Sequence, residues 1–376
     1  MRSEMIPLSA PEILESDIEA VAKVLRSPRL SLGPVTEAFE QALADYVGVE
    51  HGIAVNSGTA GLHLYIRAMG IGNGDEVIMP SFTFIAVANA ARHEKATPVF
   101  VDIDPVTLNL DPEKVEAAIT AKTRAIIVVH TFGCPADMDR IQEIADRHQL
   151  PILEDACEAL GAEYAGRKAG SFGHAAVFAF YPNKQITTGE GGMVVTRDPE
   201  LAGRMRALRN QGRYPSSDWF QHDELGYNYR ISEINCALGL EQLKRIESIL
   251  GIREAVAQRY TRLLTTNPHV TLPLVELPRR RISWFVYVVR LSDSFAREDR
   301  DAVIQSLTDM GIQCGRYFAP IHLQPCYSRC SILPNLPVTE HCAQLTLALP
   351  FFNQLTATEA EQVCHGLSLS LSKLHV

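Results

Sequence analysis

The sequence predicts an α/β fold: a large, mainly parallel sheet domain followed by a smaller C-terminal α/β domain. Three observations carry that expectation. Through the first two-thirds, short unbroken apolar runs rich in β-branched residues alternate with amphipathic stretches of helical period, the pattern of strands buried on both faces and joined by helical crossovers. Beyond about Leu238 the alternation gives way to a long charged amphipathic stretch. The length, 376 residues, exceeds what one core usually organises, so two packed domains are expected, 1–250 and 251–376.

Strands are expected at 52–55, 76–79, 98–102, 125–130, 151–155, 175–180 and 193–196, with helices between them such as 112–119 and 138–148. Ligands of such a sheet gather at the carboxyl ends of its strands. From Glu241-Gln242-Leu243-Lys244-Arg245-Ile246-Glu247 one long helix is expected past Arg253 to Leu264, a spine between the domains. The small domain then takes a strand at 284–291 and helices at 299–310 and 358–367.

Composition removes several classes of function. Hydrophobic residues at 46% and charged residues at 21% are ordinary globular values, which excludes a disordered or fibrous chain. Thirty-five basic against 44 acidic side chains give a net charge of -9, so non-specific binding to nucleic acid or anionic membrane is not expected, although a local basic pocket is compatible with it. The start, Met1 to Pro7, lacks the apolar core of a signal peptide, and no apolar run approaches the ~20 residues that cross a bilayer; a cytoplasmic protein is the expectation. The eight cysteines are scattered through apparent core segments, which fits reduced thiols better than a disulfide framework. His322, Cys326 and Cys330, with His341 and Cys342 nearby, are residue types that zinc accepts. They lack paired C-x-x-C knuckles, and Pro320 and Pro325 oppose a helix that would align them, so no metal is expected.

The chemistry concentrates elsewhere. Lys184 lies in Phe178-Ala179-Phe180-Tyr181-Pro182-Asn183-Lys184-Gln185-Ile186-Thr187-Thr188-Gly189-Glu190-Gly191-Gly192, and Asp155 ends the apolar strand before it. A primary amine can form a Schiff base with a cofactor aldehyde, and an anion at a pyridine nitrogen keeps that ring an electron sink; the pair reads as a site for pyridoxal 5'-phosphate, PLP. Asn56-Ser57-Gly58-Thr59-Ala60 follows a strand and opens a helix, where Gly58 permits a tight turn and the N–H groups of Thr59 and Ala60 favour a phosphate dianion. Each feature has a plainer reading: a helix cap, a strand-end carboxylate paired with arginine, a solvated loop lysine. Their agreement on one ligand is what favours the cofactor.

Five motifs in order, Asn56 to Ala60, Pro80-Ser81-Phe82-Thr83-Phe84, Glu154-Asp155-Ala156-Cys157-Glu158-Ala159-Leu160-Gly161, Phe178 to Gly192 and Gly226-Tyr227-Asn228-Tyr229-Arg230, resemble the nucleotide-sugar aminotransferases of the DegT/DnrJ/EryC1/StrS family. The resemblance extends through Ser283-Trp284-Phe285-Val286-Tyr287 and Pro320-Ile321-His322-Leu323-Gln324-Pro325. It implies PLP fold type I, the aspartate aminotransferase-like architecture. It implies Lys184 as the Schiff-base and proton-moving lysine, Asp155 at the pyridine nitrogen, Phe84 on the ring face, Gly58, Thr59 and Ala60 at the phosphate, and Glu158 near the ring hydroxyl. Asn228 would reach the phosphate of a neighbouring subunit, which implies a homodimer with shared active sites.

Two departures stand out. Ala179 replaces a serine that donates to the phosphate in many relatives, and Glu158 replaces glutamine or histidine, so that it must share a proton with the ring oxygen to avoid repulsion. The implied reaction moves an amino group from L-glutamate to a nucleotide-linked keto sugar. The form of Thr187 to Gly192 resembles members aminating a 4-keto-6-deoxy sugar, such as GDP-perosamine synthases. Arg230, Tyr317 and His322 are candidate substrate contacts. A PLP-dependent sugar dehydratase on the same scaffold would carry histidine where this chain has Lys184. A dinucleotide-binding oxidoreductase fails on Gly70-Ile71-Gly72-Asn73-Gly74, which precedes a strand instead of following one. A non-catalytic PLP-binding sensor would need neither Lys184 nor Asp155 intact.

Overall fold

A computed structural model describes residues 5–216, 218–327 and 334–374. Its largest element is a seven-stranded sheet, ordered in space His51–Val55, Gly192–Thr196, Ala175–Ala179, Ile152–Asp155, Thr123–Val129, Glu76–Pro80, Thr97–Val101. The five strands from Ala175–Ala179 to Thr97–Val101 run parallel, each pair separated by a helical crossover or its equivalent. Gly192–Thr196 runs antiparallel to both its neighbours. An antiparallel return needs no crossover helix, so the segment 180–191 folds back as a loop over the strand ends and carries Lys184 with it. All seven strands fall within two residues of the ranges the apolar runs predict.

The helix Gly58–Ala68 lies on this sheet with nearly every residue buried. Among the described residues the second core surrounds a three-stranded sheet of Val270–Thr271, Tyr287–Leu291 and Thr346–Leu349. The helices Arg297–Asp309 and Ala357–Ser372 pack against it through Val303, Leu307, Val363 and Leu367.

The long helix expected over 241–264 is instead two, Glu233–Leu243 and Ile246–Leu264. Arg245 leaves helical geometry at φ -111°, ψ 17°, and its guanidinium donates to Glu12 at 2.7 Å and to the fully buried Asp17 at 2.8 Å. Helix propensity is weak against a paired buried carboxylate. The second helix contributes Ile246, Ile249 and Leu250 to one core and Val256, Ala257, Tyr260 and Leu264 to the other. The expected division at 250/251 therefore falls where one helix passes between two cores. The start of the chain joins the second of them: Ile6 is buried there and exchanges backbone hydrogen bonds with Gly311 and Gln313.

Among the described residues no helix is long and apolar enough to cross a membrane, and no group of three or more His, Cys, Asp or Glu is arranged to hold a metal ion. Cys330 lies outside the described residues. Cys134, Cys157, Cys236, Cys314, Cys342 and Cys364 are free thiols.

Candidate active site

A cleft of about 820 Å³ opens at the carboxyl ends of the parallel strands, lined from the large sheet's side by Ser57, Gly58, Thr59, Phe84, Asp155, Glu158, Ala179 and Lys184 and from the smaller core by Phe285, Arg316 and Tyr317. The side chains alternate along Ile152–Asp155. Glu154 turns into the protein, and Asp155 turns toward the cleft with only 7% of its surface exposed. Asp155 Oδ1 accepts the N–H of Cys157 at 3.1 Å. Among the described residues no cation pairs with this carboxylate. A buried anion is costly without a partner, and the protonated nitrogen of a pyridine ring would be one.

Lys184 is not a surface lysine. Its Nζ lies 3.6 Å from Glu158 Oε1 and 3.9 Å from the centroid of the Phe285 ring, and its side chain is 13% exposed. Glu158 Oε2 accepts the N–H of Phe132 at 2.9 Å. Burial pushes the Glu158 carboxyl above its ordinary range, with the charge of Lys184 and the Phe132 amide opposing part of that effect. A raised carboxyl is the state in which sharing a proton with a phenolic oxygen is feasible.

At the phosphate end the structure corrects one expectation. Ala60 N–H is not free, because Ser57 Oγ accepts it at 3.1 Å as the cap of the helix Gly58–Ala68. The amides of Gly58 and Thr59 belong to the first turn, where no intrahelical acceptor exists. A Cβ on Gly58 would stand 2.8 Å from Ala179 Cβ and 3.1 Å from Cys157 Sγ, so glycine is required here by close packing against the strand ends. Phe84 projects into the cleft with 62% exposure, available to cover a flat ring.

Besides Ala60, three expected residues lie outside the lining of this cleft: Asn228, Arg230 and His322. Asn228 is exposed, its carbonyl accepting from Asn56 Nδ2 at 3.4 Å, and Arg230 donates to Asn210 Oδ1 at 3.0 Å. His322, expected at the substrate, is 1% exposed; its ring nitrogens stand 2.7 Å from Ser81 Oγ and 3.2 Å from Glu340 Oε1. With Ile321 N–H donating to the Ser81 carbonyl at 3.0 Å, it clasps the segment beyond Pro320 to the strand end before Phe84. Tyr317 does face the cleft, and burial pushes its phenol up to about 12.

The sequence reading missed Phe285, Arg316 and Gln185. Phe285 stood in a recognised motif, but nothing local placed its ring against Lys184. Gln185 Nε2 donates to the Glu158 carbonyl at 2.7 Å and to Ser283 Oγ at 2.9 Å, tying the lysine loop to the segment bearing Phe285. Arg316 Nε donates to Asp301 Oδ1 at 2.9 Å at the rim.

An amine-bearing lysine, a buried carboxylate without a counter-ion and a helix start opening on one cavity, all on this sheet, define a transaminase of PLP fold type I. The model of the DegT/DnrJ/EryC1/StrS aminotransferase family matches residues 11–368, and the chain belongs to that family. It is 44% identical over 365 residues to a GDP-perosamine synthase of Caulobacter vibrioides, covering 96% of this chain and 97% of that protein. The crystal structure of S. venezuelae DesV superposes with a TM-score of 0.89 at 38% identity, covering 98% of each chain. The PLP form of Spr1654 from Streptococcus pneumoniae superposes at 0.94 with 28% identity, covering 98% of each chain. The chain is accordingly a nucleotide-sugar aminotransferase, and PLP dependence is implied by its family.

Proposed function

We propose that this enzyme moves the amino group of L-glutamate to the keto carbon of a nucleoside-diphosphate-linked 4-keto-6-deoxyhexose, GDP-linked as the name of its Caulobacter relative suggests, for polysaccharide or deoxyaminosugar synthesis. The observation that carries the reading is the convergence of Lys184 and the unpaired, buried Asp155 on one cleft. The end-to-end similarity to a GDP-perosamine synthase supports the sugar.

Bound in this cleft, PLP supplies an electron sink that lets the donor's α-C–H bond ionise. Lys184 anchors the cofactor and then, released, takes the α-proton and later returns one to the sugar carbon. Asp155 keeps the pyridine nitrogen protonated through the charge it places there. Gly58 and Thr59 present backbone N–H groups to the phosphate, and Ala60 would join them if Ser57 rotates away from its cap. Phe84 would cover the ring, and Glu158 would lie by its hydroxyl. Arg316 and Tyr317 meet the substrate across the cleft, with Arg316 offering an anion site.

Asn228 and Arg230 project outside their own cleft and serve that of a second subunit in a homodimer. The enzyme works in the cytoplasm, where nucleotide sugars are made and used.

The test begins with the absorption spectrum of the PLP-treated protein. L-glutamate should bleach the long-wavelength band in the wild type and leave Lys184→Ala unchanged. GDP-linked and dTDP-linked 4-keto-6-deoxy sugars should then restore it to different extents. No response to L-glutamate would refute the donor, and restoration only by a 3-keto sugar would refute the position.

A further inference from the structure

The Lys184 amine does not point freely into the cleft. It rests between an aromatic face and a carboxyl, 3.9 Å from the Phe285 centroid and 3.6 Å from Glu158 Oε1. Phe285 comes from the smaller core, and its backbone is gripped from behind. Arg253, on the helix that links the cores, donates from Nη2 to the Phe285 carbonyl at 2.8 Å and from Nε to the Trp284 carbonyl at 2.7 Å. Its Nη1 donates to Asn353 Oδ1 at 2.9 Å, and Asn353 Nδ2 reaches Glu12 Oε2 at 3.2 Å. Arg253 is 3% exposed and, among the described residues, forms no direct ion pair. Three hydrogen bonds to neutral oxygens are how a charge this deeply buried is satisfied, and burial pushes its guanidinium down to about 10.

An arginine kept charged in the interior at that cost, with two of its three nitrogens committed to the consecutive carbonyls of Trp284 and Phe285, fixes the position of the aromatic residue. The face of that ring carries negative charge density, which attracts an ammonium. Glu158 completes the arrangement from the opposite core, its other oxygen tethered to the Phe132 amide. Among the described residues the other titratable groups lining the cleft are Asp155, Cys157, Tyr181, Glu190 and Tyr317, with Arg316 at the rim.

We propose that Phe285 and Glu158 form a docking station that receives the Lys184 amine when it is neither covalently engaged nor moving a proton, and that Arg253 is a positioning residue for the Phe285 ring. The inference rests on Lys184 being the covalent lysine of the proposed reaction. Each full turnover releases that amine once, when the donor displaces it, and leaves it unbonded until the aminated sugar departs. A flexible four-carbon side chain loses its advantage if it wanders into solvent after release. A station made from both cores keeps it one side-chain swing from the reacting carbon.

The experiment uses the full-length protein without cofactor, the state in which the amine is unbonded. Lys184 acylation by an amine-selective reagent at fixed neutral pH is quantified by peptide mass spectrometry, with the exposed Lys244 in the same sample as reference. Glu158→Gln and Phe285→Leu should each raise the Lys184 rate about fivefold relative to Lys244, since the amine loses a partner that keeps it docked and sheltered. Phe285→Tyr keeps the ring face and should stay near wild type, which separates loss of the ring from simple opening of the cleft. Arg253→Lys cannot bridge both carbonyls and should give an intermediate increase; circular dichroism confirms that each variant is folded. Unchanged relative rates in both Glu158→Gln and Phe285→Leu overturn the proposal. That result leaves the aminotransferase reading intact, because the latter stands or falls on the glutamate response of the cofactor spectrum and its loss in Lys184→Ala.

Discussion

Glu154 offers the sharpest test of how the site is supported, because it touches no ligand. Its carboxylate is fully buried and accepts from the N–H groups of Gly170, Phe172 and Gly173, each at 2.7 Å, and from His130 Nε2 at 2.9 Å. The imidazole's other nitrogen accepts the Ala136 N–H at 3.1 Å, so the ring is neutral and donates from Nε2. Glu154→Ala leaves four donors unpaired, those of Gly170 and His130 buried and those of Phe172 and Gly173 part-buried. At about 1 kcal/mol each, the low end for an unsatisfied group, the loss is about 4 kcal/mol, a large part of an ordinary domain's stability. Denaturant unfolding of wild type and variant at neutral pH, followed by tryptophan fluorescence, measures it. A loss below about 1 kcal/mol would refute the argument by showing that water or rearrangement satisfies those donors. Burial works to raise this carboxyl, but His130 and the backbone amides outweigh it and hold it below its usual range. Its stabilisation is therefore complete above the unfolded value of about 4.3 and is lost as the pH falls through the lower folded value. Glu154→Gln should flatten that acid limb.

Ala179→Ser, which adds a hydroxyl beside the helix start, should tighten PLP retention about fivefold in a spectroscopic titration. Asp155→Asn should keep the lysine-dependent absorption band yet slow the glutamate half-reaction by about a hundredfold or more, because the pyridine nitrogen loses its anion. Arg316→Gln should raise the KM of an anionic substrate about tenfold with kcat nearly unchanged, the loss expected for a charge-assisted contact made equally in ground and transition states. His322→Ala should lower stability by about 1–3 kcal/mol through the unpaired Ser81 and Glu340 groups, with its effect on turnover following from the displaced Phe84 strand end.

The positions of the seven large-sheet strands, and the place of Asp155 at the end of one of them, were legible in the sequence for the same reason. A strand buried on both faces must be an uninterrupted apolar run, and a charged residue ending such a run has few explanations. The lysine's setting among Tyr181, Asn183 and the glycines of 189–192 was equally local. What escaped the sequence depended on residues far apart in it. The break at Arg245 follows from a buried Asp17 on the N-terminal helix, which no helical pattern near 245 records. His322 has the chemistry of a substrate ligand, and only its burial against Ser81 and Glu340 turns it into a clasp. The N–H of Ala60 is taken by Ser57 because the helix starts one residue after that serine, a geometry settled to within a residue only by the folded backbone.

By itself, the sequence determined the layered α/β sheet and singled out Lys184 and Asp155 as candidates for its chemistry, because hydrophobic period and residue type act locally. Only the tertiary structure decided which core supplies the floor beneath Lys184. Bringing Phe285 and Glu158 to opposite sides of one amine depends on two cores docking through a shared helix, and on Arg253 reaching carbonyls that lie beside it only after both have folded.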